Sequence, residues 1–304
     1  MKQSIKESGR RTYSYNNGVL AKHPKTEDWL VIYPHRDQEQ ISKPPIVLDN
    51  SKSIIRYSDP EYKMFKKLFQ STEIAKAYKN FRPTYPASVT SFILQYIDEK
   101  LTLPESRRIA VDVGCGSGQS TELLASHFQK IVGIDISEAQ ITVAKKENKF
   151  KHIEYKVGSF DQLPFEDSSV SLVYAGIAAH WFEPIENFYK EVDRILIPGG
   201  CLLLFGYSES HIKSFSDELN KDLDQLLEKF SESIDKYKTP KFEIVRLGYK
   251  NWKIPFDDSG RNDSLKLQKE MTLESYSGYL SSWSPYRQFL AKESSDPLQD
   301  FCLK

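Results

Sequence analysis

The run with the most chemical content is DVGCGSG, Asp112 to Gly118, in which Gly114, Gly116 and Gly118 stand at alternate positions. Glycines so spaced let the chain turn sharply and leave no Cβ between the backbone and a ligand lying against it. IAVDV (Ile109 to Val113) reads as a buried strand leading into the loop, and a helix through Leu123 and Leu124 leads out of it. The first amides of that helix point at whatever the loop holds. A dinucleotide fingerprint sets its third glycine three positions after the second, where this chain has Gln119, so the spacing argues against NAD. A tight turn with no ligand is the competing reading, and the correct flanking elements favour a ligand.

Asp135 ends a second strand, KIVGID (Lys130 to Asp135). A carboxylate there can accept both hydroxyls of a ribose in charge-assisted hydrogen bonds. The alternative is a helix cap, but Ser137 is available for that task. After a fourth strand, YAGIAAHWF (Tyr174 to Phe182) sets a His-Trp pair where an open α/β sheet points at its ligand crevice. His180 is a candidate general base or a pocket wall, and Trp181 either lines a pocket or packs.

The elements that must position these residues follow from periodicity. KIVGID, HIEYKV (His152 to Val157), VSLVYA (Val170 to Ala175) and CLLLF (Cys201 to Phe205) follow IAVDV as apolar strands, with helical stretches between several of them. Strands this continuously apolar, alternating with helices, predict an α/β fold with a parallel sheet covered by helices on both faces. Trp252 to Phe256 reads as a sixth strand, and Leu273 to Leu290 as an aromatic-rich helical stretch. Residues 1–60 read as a polar, loosely ordered extension containing two strand-like runs, WLVIY (Trp29 to Tyr33) and PIVL (Pro45 to Leu48). Residues 61–304 form the main domain, with helical cap elements over 61–104, 207–240 and 271–290; the first begins with helical periodicity from Tyr62 to Tyr78.

Composition narrows the partners. Lys+Arg and Asp+Glu are both 42 in 304 residues, so no basic excess marks nucleic acid or an anionic membrane as a partner. Cys115, Cys201 and Cys302 form no CxxC pair, which argues against a metal site and suits a reducing, cytoplasmic setting. No apolar run is long enough to span a bilayer. A monomer or a homodimer is expected.

DVGCGSG, GIDISEAQ (Gly133 to Gln140), the LPF loop, AAHWF and the late PGG together resemble a Rossmann-like class I methyltransferase of the methyltransf_11 kind, dependent on S-adenosylmethionine. The flanks AKAYKNFRPTYP (Ala75 to Pro86) and MTLESYSGYLSSWSPY (Met271 to Tyr286) resemble the trans-aconitate methyltransferase-like family. The resemblance implies that the glycine loop, with Asp112 and Cys115, borders the methionine part of the cofactor. It also implies that Asp135 takes the ribose, that Ile136 packs on the adenine, and that Gln140 and Ala175 complete that side. In VGSFDQLPF (Val157 to Phe165), Ser159, the backbone amide of Phe160, or Asp161 would read the adenine edge, and the choice stays open. Tyr78, Arg82 and Tyr85 would line the entrance, and His180, Trp181, Trp283 and Tyr286 would face a small-molecule acceptor. A hydroxyl acceptor needs a base, for which His180 is the candidate. A carboxylate needs none, and Arg82 or Arg287 could orient it bidentately. A binder that regulates without turnover would share the same cofactor loop. No Asn/Asp-Pro-Pro-Tyr/Phe element follows the fourth strand, which speaks further against a nucleic-acid substrate.

The chain ends at Lys304, where the last antiparallel strand of the sheet is expected. Either another segment fills that position, or the chain is a truncated form whose neighbouring strands lose their ladder partners. Trp29 to Tyr33, or Pro45 to Leu48, is the candidate filler.

Overall fold

The computed structural model of the chain describes residues 28–34, 79–207, 217–250, 252, 254–256, 258–265, 267 and 269–302. Seven strands form one sheet: β1 (Asp28–Pro34), β2 (Ile109–Val113), β3 (Lys130–Asp135), β4 (Ile153–Val157), β5 (Val170–Gly176), β6 (Leu196–Tyr207) and β7 (Gly260–Asn262). Their order is β4-β3-β2-β5-β6-β1-β7. The five strands β2 to β6 are parallel, as the alternation of apolar runs and helices predicts.

Period-two alternation splits the side chains of these strands between two cores. On one face Val111, Val113, Val173, Leu202 and Leu204 meet Phe188, Val192 and Ile195 of helix α4 (Ile185–Ile195). On the other, Ala110, Leu172, Tyr174, Leu203 and Phe205 meet Ile93 and Ile97 of α1 (Ala87–Lys100). That second core also takes Leu124, just past the short helix α2 (Gln119–Leu123), and Ile141 and Ala144 of α3 (Glu138–Glu147). Burial on both faces is why β2, β5 and β6 carry few polar residues, whereas the edge strand β4 exposes Glu154 and Lys156. Phe188 is wholly buried, and truncating it to Ala would cost about 3–5 kcal/mol.

The penultimate sheet position is filled from the N-terminal side. β1 runs antiparallel to β6, with Asp28 opposite Tyr207 and Pro34 opposite Cys201, and antiparallel to β7 through Leu30, Val31 and Ile32. Of the two candidate fillers it is therefore Trp29 to Tyr33 that pairs. Pro45 to Leu48, and the helical run from Tyr62 to Tyr78, lie outside the described residues.

One expected strand is not one. The described residues of Trp252 to Phe256 form no ladder, and the strand at the sheet edge is the three-residue β7. Pro255 lacks the amide a ladder needs, and Trp252, Ile254 and Phe256 instead pack from a loop onto the first core.

The cap comprises α5 (Asp217–Ser233), α6 (Pro240–Arg246), α7 (Leu273–Ser281), α8 (Ser284–Leu290) and α9 (Pro297–Cys302). Tyr279, Leu280, Trp283, Tyr286 and Phe289 of this region join Phe230, Ile234 and Tyr237 in a third cluster. Tyr207 at the end of β6, and Phe81, Tyr85 and Ile177, attach that cluster to the C-terminal edge of the sheet. Among the described residues no helix is long and apolar enough to cross a membrane.

Candidate functional site

The strand order reverses at β2, which has β3 on one side and β5 on the other, and the DVGCGSG loop leaves the C-terminal end of that strand. A crevice at this point is the usual ligand position of an open α/β sheet. The amides of Gly114 and Cys115 donate to the Ile134 carbonyl at 2.7 and 3.0 Å, which draws the loop across to β3. Gly114, Gly116 and Gly118 all have positive φ, +72°, +53° and +95°. They differ in surroundings. A Cβ on Gly114 would lie 2.4 Å from that of Ala178, and one on Gly118 would lie 2.3 Å from the Tyr155 hydroxyl. A Cβ on Gly116 would meet only Gln140 Oε1, at 3.8 Å. The outer two glycines are closed by protein, and the middle one faces open space.

Asp135 binds the loop from the end of β3. One oxygen accepts the Gly116 amide and the other the Ser137 amide, both at 2.8 Å. Its carbonyl accepts the amide of Gly158 at 3.0 Å, so the segment leaving β4 reaches the same place. Burial raises the carboxyl pKa, and the two amides oppose that shift. Each carboxylate oxygen retains a lone pair beyond the one its amide uses. Ser137 is the N-cap of α3, accepting from the Gln140 amide, which leaves Asp135 to the loop.

Asp112 has a different task. It is fully buried, and one oxygen accepts the hydroxyls of Ser120 and Thr121, each at 2.7 Å, which fixes the start of α2. Its other oxygen has no partner among the described residues, and burial pushes its pKa up to about 7. Cys115 is buried with a raised thiol pKa, and Ala175 is taken up by the core. Their side chains serve packing.

In the segment that leaves β4, Ser159 donates its hydroxyl to the Asp161 carboxylate. The Phe160 ring stacks on Phe182 at 5.0 Å, and Ile136 stays half-buried beside Asp135. Gln140 Oε1 and Ser117 Oγ are buried without a partner among the described residues.

The other half of the crevice begins at Ile177, whose φ of +49° is rare for a β-branched residue. Its amide donates to the Phe205 carbonyl at 2.8 Å, and a short 3-10 turn, Ala179–Trp181, follows. His180 in that turn is buried, and its backbone N–H donates to the Tyr249 hydroxyl at 3.1 Å. Its ring Nδ1 lies 2.7 Å from the same oxygen. Burial, with the charges of Lys241 and Arg82, pushes the imidazole pKa down to about 3. Lys241 pairs with Glu183 at 2.9 Å and sits over the Trp181 ring. Arg82 donates to the Ser282 carbonyl at 3.2 Å and lies over the Tyr279 ring. Tyr85 packs edge-on against Phe205 with its hydroxyl beside Gly176.

Trp283 and Tyr286 occupy the packed centre of the cap. Trp283 is ringed by Phe230, Phe242 and Tyr279, and the Tyr286 hydroxyl donates to Asp296 at 2.8 Å. Arg287 is half-buried, and its Nε has no partner among the described residues. Tyr78 lies outside the described residues. Sequence reasoning missed Tyr249, Lys241, Ser117, Ser120 and Thr121. The two hydroxyls after Gly118 could have been read as capping partners for Asp112. Nothing local marks Tyr249 or Lys241.

Comparison with known proteins decides what this crevice belongs to. The methyltransferase domain family Methyltransf_11 matches residues 111–204. A Dictyostelium discoideum protein named as a methyltransferase is 34% identical over 229 residues, covering 75% of this chain and 81% of its own length. The chain belongs to the class I S-adenosylmethionine-dependent methyltransferases. A Saccharomyces cerevisiae protein named as an S-adenosylmethionine-dependent methyltransferase is 26% identical over 269 residues, 78% of this chain and 87% of that one. A structure from Anaeromyxobacter dehalogenans, named as a type II methyltransferase, shares the fold with a TM-score of 0.56 at 24% identity. It covers 72% of this chain and 86% of that chain.

The methyltransferase family implies S-adenosylmethionine as the cofactor, and the crevice fits it. The space over Gly116 would be lost to a side chain, and the Gln140 and Ser117 oxygens, without partners among the described residues, lie at the open loop. The half-buried Asp135 carboxylate stands beside them.

Proposed function

We propose that this methyltransferase esterifies a carboxylate of a small molecule. The observation that carries this reading is the electrostatics around His180. Burial above all keeps this imidazole neutral, and two cations stand near it, Arg82 from the entry segment and Lys241, paired with Glu183, from the cap. Such a site favours a bound anion and disfavours the imidazolium that a general base must become. A carboxylate has already lost its proton, so it needs orientation and a dry surrounding more than a base.

In this reading Asp135 holds the ribose hydroxyls, the open face of Gly116 receives the methionine part, and Gln140 and Ser117 supply further polar contacts. Ile136 packs on the adenine, the backbone amide of Phe160 donates to its edge, and Asp161, which keeps acceptor sites beside its bond from Ser159, takes its amino group. When bound, the cofactor supplies a methyl already activated by its sulfonium. Tyr85, Trp181 and the cap exclude water, and Arg82 turns the acceptor carboxylate toward the crevice. Arg287, with its buried Nε, is a second orienting candidate. The resemblance to the trans-aconitate methyltransferase-like family points the same way.

The test is incubation with isotope-labelled S-adenosylmethionine and a metabolite extract, followed by mass analysis. A labelled product that mild base hydrolyses back to an acid is the expected result. A labelled ether or amine, stable to base, would overturn the carboxylate assignment.

A further inference from the structure

His180 meets one atom twice. Its backbone N–H and its ring Nδ1 lie 3.1 and 2.7 Å from the hydroxyl oxygen of Tyr249. The backbone N–H can only donate, so the phenol oxygen accepts there, and a tyrosine hydroxyl has a single proton to give. We infer that Tyr249 gives this proton to Nδ1, so that His180 is held as the tautomer protonated on Nε2 and serves the methyl acceptor as a hydrogen-bond donor. What Nε2–H meets rests on the carboxylate reading above; the tautomer itself does not.

The opposite arrangement would set two N–H groups on one neutral phenol oxygen inside a buried site. Tyr249 is held for its task. It has a φ of +55°, a conformation a bulky residue keeps only when its surroundings impose it. Its amide bonds the Ile244 carbonyl at 2.9 Å, and Trp252 braces its ring edge-on at 4.5 Å. It is buried, as is the imidazole it serves. On the far edge of that imidazole, Nε2 has no hydrogen-bond partner among the described residues. A ring neutral at working pH, with Nδ1 filled by an O–H, presents an N–H there and has no lone pair to take a proton. A carboxylate releases no proton on esterification, so it must be held and not deprotonated, and an N–H donor can hold it. Tyr249 is thus a positioning residue acting through His180.

The test is the nitrogen spectrum of the full-length protein labelled with 15N-histidine, with the His180 ring assigned by its loss in His180→Gln. The expected pattern is a pyridine-type Nδ1 and a pyrrole-type Nε2. In Tyr249→Phe the Nδ1 partner is gone, and a mixture of tautomers is expected. Protonation on Nδ1 in the wild type, or an unchanged Nε2–H pattern in a folded Tyr249→Phe, would overturn the inference. A merely structural Tyr249 would lower the melting temperature without moving this signature. Should Tyr249→Phe not fold, two His180 variants decide. His180→Leu is expected to lose turnover by about 100-fold, the usual cost of letting a reactant shift by about 1 Å. His180→Gln, whose amide can accept from Tyr249 and donate at the far end, should restore most of that loss. Equal loss in both would assign His180 the base role and overturn the donor. If the spectrum is as expected but the product is stable to base, the tautomer assignment stands and the carboxylate reading fails, with it the role of Nε2–H toward the acceptor.

Discussion

The Asp135 carboxylate accepts the Gly116 amide at 2.8 Å, so the acid at the end of one strand holds the open middle of the glycine loop that ends another. Removing the acid therefore removes both a ligand contact and a loop restraint. Asp135→Ala should weaken S-adenosylmethionine binding by about 100-fold or more, the worth of two charge-assisted hydrogen bonds. Calorimetry reads this directly, and undiminished binding would show that the cofactor lies elsewhere.

The neighbouring glycines separate fold from binding. Gly118→Ala must move the buried Tyr155 ring and adopt a φ of +95°, so a loss of about 2–4 kcal/mol is expected in chemical denaturation. Gly116→Ala meets only Gln140 at 3.8 Å, and its backbone cost is about 1–2 kcal/mol. Its main effect should be on cofactor affinity. Equal stability losses in the two variants would contradict the open face of Gly116.

His180 makes the protein sensitive to acid. Its folded pKa of about 3 lies below the ordinary value of 6.5, so the unfolded chain binds its proton first. Its contribution to stability is full above pH 6.5 and is lost as pH falls toward 3. His180→Gln should flatten the decline in melting temperature between pH 6.5 and the acid limit, seen by comparing melts of both proteins across that window.

Asp112 acts with the opposite sign. Its folded pKa of about 7 is raised above the ordinary 3.8, so the native state binds the proton more tightly. Its stabilising contribution is present in full below 3.8 and is lost as pH rises through 7. Asp112→Asn keeps an acceptor for Ser120 and Thr121 but cannot ionise. Relative to wild type it should gain stability as pH increases from 4 to 8. A constant difference across that range would contradict the shift.

Deleting residues 1–60 should expose the β6 edge that β1 covers and strand β7. Seven paired positions along β6 are involved, from Tyr207 to Cys201. A fall in melting temperature of about 5 °C or more, with aggregation through the bare edge, is expected. An unchanged melt would show that β1 adds nothing to the sheet's stability.

What the sequence by itself determined was local and periodic. DVGCGSG between a strand and a helix, Asp135 at the next strand end and the run of apolar strands were enough for the fold and the family, because each depends on neighbours a few residues apart. Ser137 was legible as a cap for the same reason. Tertiary structure decided the rest. The WLVIY run reads as a strand, but its place between β6 and β7 is set by pairing with residues far along the chain. Trp252 to Phe256 is apolar enough for a strand, yet Pro255 and the hold of the first core keep it in a loop. The family resemblance turns Trp283 and Tyr286 toward the acceptor, but that they are buried in the aromatic cluster of the cap is decided by packing. The state of His180 is set by its burial, by Tyr249, 69 residues away, and by the charges of Lys241 and Arg82. Burial and hydrogen bonding between such distant residues depend on how finished elements pack, which no local pattern of residue types records.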